Sequence, residues 1–117
     1  MASIHIENIR LRTIIGINDW EREHKQDIII NIHIHFDPKK SIQSDNIKDT
    51  IDYKTITKKV IDLVEQSNYY LIEKLADAIL NVVMDDPLIM ETTVKVDKPF
   101  ALRFTDSVSI ELTKKRP

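Results

Sequence analysis

No cysteine occurs among the 117 residues, and that absence removes disulfides, thiol nucleophiles and thiolate metal sites together. Glycine is almost as scarce: average usage of roughly 7% predicts about eight, and the chain has one, Gly16. A glycine-rich loop that cradles phosphate is therefore excluded. Turns must be made by Asn, Asp and Pro, or by longer loops with packing of their own. The lone glycine is read as marking a backbone position where a Cβ would clash. No apolar run approaches membrane-spanning length, and the opening Met1-Ala2-Ser3-Ile4-His5-Ile6-Glu7 lacks the basic-then-apolar order of a signal peptide. The reading is a soluble cytoplasmic protein with no membrane partner. A formal charge of −2 argues against bulk nucleic-acid binding, which rests on neutralising phosphates. The single cationic run, Lys114-Lys115-Arg116, reads as a solvated terminus.

The length suits one domain, residues 1–117, with one core. Ile4 to Ile14 reads as a first strand whose phase slips at Asn8, the mark of a bulge. Asp27 to Phe36 is the clearest strand. It has Ile28, Ile30, Ile32, Ile34 and Phe36 on one face and Asp27, Ile29, Asn31, His33 and His35 on the other. One apolar and one wetter face imply an antiparallel sheet covered on one side. An irregular stretch then runs to Asp52, a candidate N-cap for a helix over Tyr53 to Glu65 with a stripe of Ile56, Val60, Leu63 and Val64. A second helix runs from Leu71 to Val83, with Ile72, Leu75, Ala76, Ile79, Val82 and Val83 on one face, and Asp86-Pro87 ends it. A third strand alternates Met90, Thr92, Val94, Val96, and a fourth alternates Phe104, Asp106, Val108, Ile110, Leu112. The order strand-strand-helix-helix-strand-strand predicts an α+β sandwich, a four-stranded antiparallel sheet with two helices on one face. Its long, Ile-rich edges predict pairing between subunits into a closed barrel.

The joint between the last two strands, Lys98-Pro99-Phe100-Ala101-Leu102-Arg103-Phe104, contains none of the Gly, Asn or Ser that ordinary hairpin turns use. Phe100 and Leu102 would meet water unless a partner subunit or ligand covers them. Lys98 stands where a strand must stop, because Pro99 cannot donate to a ladder. It is either a solvated turn lysine or a partly desolvated one able to act as a base.

Other candidates carry equally plain alternatives. His33 and His35, with His5 across the hairpin, have a spacing that can hold a metal, but nothing completes a ligand set, and the reading is a polar face with no metal. Ser107 and Ser109 lack a nucleophile turn around them. Glu73 opens the second helix, where the helix dipole favours a carboxylate; it is also placed to accept paired N–H donors from a planar ligand. Tyr53 opens the first helix, and Glu21 follows Gly16-Ile17-Asn18-Asp19-Trp20 in the first hairpin loop. Trp20 is an interface anchor or a cover for the core.

Four segments taken together resemble the dihydroneopterin aldolase/epimerase family: Gly16 to Gln26 (GINDWEREHKQ), Asp45 to Tyr53 (DNIKDTIDY), Leu71 to Ala76 (LIEKLA) and Val96 to Ile110 (VDKPFALRFTDSVSI). They run in the family's order over nearly the whole chain. The resemblance implies the tunnelling fold, homo-tetramers or homo-octamers, and pterin sites between subunits. It places Glu73 on the pterin's amino and N3 groups and makes Lys98 the general base on the 2′-hydroxyl, directly or through water. Tyr53 of a neighbouring subunit would handle protonation at C1′, and Glu21 would lie near the side-chain hydroxyls. Thr50, Ile51 and the backbone at Leu71 and Ile72 would line the pterin slot. The implied chemistry is cleavage of C1′–C2′ with the dihydropterin's own N5=C6 imine as electron sink, so no cofactor, metal or Schiff base is called for. Departure of the aldehyde makes an aldolase, and its re-addition makes a 2′-epimerase.

Two segments resemble the dihydroneopterin triphosphate 2′-epimerase branch. Pro99-Phe100-Ala101-Leu102-Arg103 replaces the Pro- and Gly-rich segment of the aldolases, and Arg10-Leu11-Arg12-Thr13-Ile14-Ile15-Gly16 replaces a Tyr/His-rich one. Arg103 suits a phosphorylated substrate or a structural ion pair equally. Asp19-Trp20-Glu21 resembles bacterial aldolases instead, so the aldolase of folate biosynthesis is the alternative, and a non-catalytic pterin- or purine-binding ring is a remoter one.

Overall fold

In the computed structural model, which describes residues 1–117, the alternation of the second strand sets the architecture. Strand β2 (Gln26–Phe36) turns Ile28, Ile30, Ile32 and Ile34 inward with exposures of 1% or less. It lies between β1 (Ala2–Thr13) and β3 (Ile89–Pro99), and β4 (Ser107–Lys115) completes an antiparallel sheet in the order β1-β2-β3-β4. Within the chain, β1 and β4 are therefore open edges.

The phase slip at Asn8 is a bulge. Ile6 pairs with Ile32 and Ile9 with Ile30, so Glu7 and Asn8 together oppose Asn31. Asn8 takes a left-handed conformation, φ 55°, which asparagine tolerates, and its backbone N–H donates to Asn31 Oδ1 at 2.9 Å. The bulge restores the inward phase for Ile9 and Leu11, both packed against the core.

Between β1 and β2 the chain forms a short helix, α1 (Asp19–Glu23), and the stretch after β2 holds α2 (Lys39–Ser44) and a 3₁₀ turn at Ile47–Asp49. Helices α3 (Tyr53–Glu65) and α4 (Ile72–Met84) cover one face of the sheet. Asp52 caps α3, its carboxylate accepting from Thr55 N–H at 3.2 Å. Ile56, Val60 and Val64 of α3, with Leu75, Ala76, Ile79, Leu80, Val83 and Met84 of α4, complete the core. Thr13, fully buried at the end of β1, donates its hydroxyl to the Val64 carbonyl at 2.7 Å and lies 2.9 Å from that of Ser67. It thereby joins Ser67 N–H and Oγ in satisfying carbonyls that the end of a helix leaves without intrahelical partners. No helix is long and apolar enough to cross a membrane.

Two strand readings need correction. A second bulge places Phe36 opposite Ile89 while His35 faces Glu91. Ile89 therefore takes the buried place, and Met90 is 42% exposed rather than part of the inward row. The fourth strand starts at Ser107, not Phe104. Phe104 has φ 67°, outside the extended region, and is 98% exposed. The intervening loop is closed by Phe100 N–H on the Asp106 carbonyl at 2.9 Å.

Candidate active site

Lys98 follows Val94 and Val96 in the inward phase of β3, so its side chain points to the helix-covered side of the sheet. It is 9% exposed, which decides against a solvated turn lysine. Its Nζ donates to Oε2 of Glu21, itself 9% exposed, to form a buried ion pair. Burying two charges is costly unless their remaining hydrogen-bonding capacity is met, and around Glu21 it is. Oε1 accepts from the Asn18 backbone at 3.2 Å and from Asn18 Nδ2 at 2.9 Å. Oε2 also accepts from Gln26 Nε2 at 3.0 Å, and the same nitrogen lies 2.7 Å from the Ile15 carbonyl. Burial pushes the Glu21 carboxyl upward, but the hydrogen bonds from Lys98, Gln26 and the Asn18 backbone, with the Lys98 charge, outweigh it and hold the pKa at about 2.

The single glycine belongs to this arrangement. Gly16 has φ +130°, and a Cβ there would fall 2.2 Å from the Glu21 carboxyl carbon. A larger residue would displace the carboxylate and strain the backbone as well.

Beside Glu21, Arg22 reaches the loop that leads into α4. Its Nη1 donates to the carbonyls of Gly16 and Tyr69, both at 3.1 Å, and Nη2 to that of Asn68 at 2.6 Å. Its guanidinium carbon stacks 3.9 Å from the Tyr70 ring centre, and Gly16 N–H adds a bond to the Tyr69 carbonyl. Directly after this loop come Leu71, half exposed, Ile72, half-buried, and Glu73, exposed in the first turn of α4.

The structure thus joins Lys98 to Glu21 by direct contact, and through Arg22 ties to them Asn68, Tyr69 and Tyr70, the loop residues that precede Leu71, Ile72 and Glu73. The remaining candidates stand apart. Tyr53, 54% exposed, opens α3, and only its carbonyl is engaged, by Thr57 Oγ1 at 2.7 Å. Thr50 is half-buried beside it, whereas Ile51 is 1% exposed with its side chain in the core, leaving its backbone for any ligand. Arg103 is exposed in the loop after β3 with its guanidinium carbon 5.4 Å from the Phe104 ring centre, and pairs with no carboxylate. Asn18, Arg22 and Gln26 were not singled out from the sequence. All three lie in the Gly16 to Gln26 segment, and the signal for them was a run of polar residues around a single glycine.

On the opposite face, a cleft of about 470 Å³ is lined by Arg10, Arg12, Asp27, Ile29, Pro99 and Phe100, among others, and includes neither Lys98 nor Glu73. Away from this cleft, His5 and His33 have ring centres 4.2 Å apart, and His35 bonds to Ser3.

Against this geometry, the family model for dihydroneopterin aldolase (FolB) matches residues 4–113. The chain belongs to the dihydroneopterin aldolase family of pterin-modifying enzymes. Within it, the chain is 42% identical over 112 residues to a dihydroneopterin triphosphate 2′-epimerase of Pseudomonas aeruginosa, covering 96% of this chain and 91% of that one. It is 41% identical over 115 residues to the Escherichia coli K12 protein of the same name, covering 98% and 96%. Among solved structures it is similar to Escherichia coli dihydroneopterin aldolase in complex with neopterin, with a TM-score of 0.91, 25% identity, and coverage of 97% of this chain and 99% of that one.

Proposed function

We propose that this chain is a 7,8-dihydroneopterin triphosphate 2′-epimerase, acting in the cytoplasm as a homo-tetramer or homo-octamer with its sites between subunits. The observation that carries a catalytic reading is the buried Lys98–Glu21 pair at the end of β3. A lysine amino group and a carboxylate held out of water, with both carboxylate oxygens engaged, form a pre-oriented proton-handling group. The greater likeness to epimerases, 41–42% against 25% for the solved aldolase, supports the branch.

In this reading Glu73 accepts the N–H donors of the pterin ring, with the backbone at Leu71 and Ile72 along its edge. Thr50, the backbone of Ile51 and Tyr53 are supplied by the neighbouring subunit. Lys98, acting as the free amine, directly or through water, takes the proton of the 2′-hydroxyl. The O–H electrons form the aldehyde carbonyl, the C1′–C2′ bond breaks, and its electron pair moves into the N5=C6 imine to give an enamine. The aldehyde fragment keeps the triphosphate. Rotation of the aldehyde and re-addition of C1′ to its other face reform the bond with C2′ inverted, and the hydroxyl oxygen recovers its proton. Arg103, free of any carboxylate, is available to the triphosphate. Two features support the assembly: the open edges β1 and β4, and exposed Tyr53, Leu71, Phe100, Leu102 and Phe104 beside the site residues.

A second reading, dihydroneopterin aldolase, is favoured by Asp19-Trp20-Glu21 in α1, which resembles aldolase sequences, with Glu21 on the lysine. There, Tyr53 protonates C1′ after glycolaldehyde leaves.

Two variants test the site. Lys98→Ala should bind neopterin with an affinity near that of the parent chain and lose turnover by roughly 10²–10⁴-fold. Glu73→Gln should weaken neopterin binding by about tenfold or more, the effect of losing a charge-assisted pair. Undiminished turnover in Lys98→Ala would overturn the assignment.

A further inference from the structure

We infer that Arg22 is a positioning residue that sets the distance between the two halves of the site, the proton-handling pair and the pterin anchor. The inference rests on the reading that Leu71, Ile72 and Glu73 hold the pterin. Arg22 follows Glu21 on α1, so its backbone moves with the Lys98 partner. Its guanidinium spans to three carbonyls on two segments: Gly16, in the loop that receives the Glu21 carboxylate, and Asn68 and Tyr69, in the loop that ends at Leu71. The stacked Tyr70 ring closes the fourth side of the clamp. A planar fork with fixed donors is the one side chain that can hold two loops in register this way; a lysine can offer its donors to only part of the set.

The surroundings show why the clamp is needed. Residues 66–71 connect α3 to α4 without regular structure, and Asn68, Tyr70 and Leu71 are exposed. Besides Arg22, Gly16 N–H on the Tyr69 carbonyl and Thr13 at Ser67 tie this loop to the end of β1. The Thr13 contact lies at Ser67, four residues ahead of Leu71, whereas those of Arg22 fall at Asn68, Tyr69 and Tyr70, immediately before it. Releasing the guanidinium leaves the stretch just before Leu71 held by the single Gly16 N–H bond to the Tyr69 carbonyl, without touching Lys98, Gln26 or Glu73.

The test compares the parent chain with Arg22→Lys and Arg22→Ala, using 7,8-dihydroneopterin triphosphate for turnover and neopterin for binding. The prediction is a KM about tenfold or more above the parent value for Arg22→Lys, a matching loss of neopterin affinity, and a kcat within about threefold, the signature of lost substrate positioning rather than lost chemistry. In Arg22→Ala, millimolar guanidinium should restore part of the affinity. A purely structural role would instead lower the active fraction and leave KM unchanged. An unaltered KM and affinity in folded Arg22→Lys overturns the inference, and so does loss of activity confined to a smaller folded fraction. Should the parent chain itself fail to epimerise the triphosphate while binding neopterin, the functional reading falls and the binding comparison still decides the role of Arg22.

Discussion

Glu21 concentrates the electrostatic design of the site, and its titration gives a stability signature. Its carboxyl sits at about 2 when folded against an ordinary 4.5. Between those values the unfolded chain binds more protons than the folded one, so stability rises with pH across that window. The contribution is complete above about 4.5 and is lost as pH falls through about 2; the shift corresponds to on the order of 3 kcal/mol. Glu21→Gln should therefore flatten the acid limb of a urea-midpoint against pH curve between pH 5 and 2.5, while lowering stability at pH 7 by leaving Lys98 buried without its counter-ion. An unchanged acid slope would show that the pair is not formed. Lys98 itself was legible in the sequence because a proline after an alternating strand fixes where the ladder stops. The lone glycine was legible as a steric requirement, but not the atom it makes room for. Arg22 and Gln26 stood out only as part of a polar run around Gly16, for a physical reason: their roles depend on carbonyls of Ile15, Gly16, Asn68 and Tyr69, and backbone acceptors leave no trace in residue identity.

Secondary structure was most legible where one face is buried without interruption. The isoleucine alternation of β2 and the cap-to-end reading of α3 correspond to the observed Gln26–Phe36 and Tyr53–Glu65. The slip at Asn8 was readable because asparagine accepts a positive φ and the isoleucine phase changes there. The slip at Met90 was not, since methionine and isoleucine look alike to a hydrophobicity pattern. Phe104 misled for the same reason: an aromatic two residues before an alternating run looks like its first member, yet its backbone is left-handed. The junction of β1 with α3 carries its own prediction. Thr13→Val keeps the shape and removes the hydroxyl from the Val64 and Ser67 carbonyls, and should cost about 1–2 kcal/mol, read as a lower urea midpoint at constant slope. A neutral result would mean that the Ser67 backbone N–H and Oγ, 3.1 and 2.7 Å from the Val64 carbonyl, satisfy it without Thr13.

A single chain holds the Lys98–Glu21 pair and, through Arg22, the loop that leads to Glu73, while Tyr53 and Thr50 sit at the far end of α3 from the Thr13 junction. With two open sheet edges and Phe100, Leu102 and Phe104 at 82%, 60% and 98% exposure, the proposed assembly has an apolar surface to cover. The purified chain should sediment as a tetramer or octamer, and a stable 13.7-kDa monomer with full activity would refute sites shared between subunits. The strands predict edge pairing but neither the number of subunits nor the branch, because both depend on surfaces that would meet only in the proposed oligomer. The branch is decided by product analysis: the chain is incubated separately with 7,8-dihydroneopterin triphosphate and with 7,8-dihydroneopterin, and the products are chromatographed. The predicted result is the threo isomer of the first, with its triphosphate intact, formed faster than any cleavage of the second. Dominant 6-hydroxymethyl-7,8-dihydropterin and glycolaldehyde from the free compound, with the triphosphate left unchanged, would contradict it.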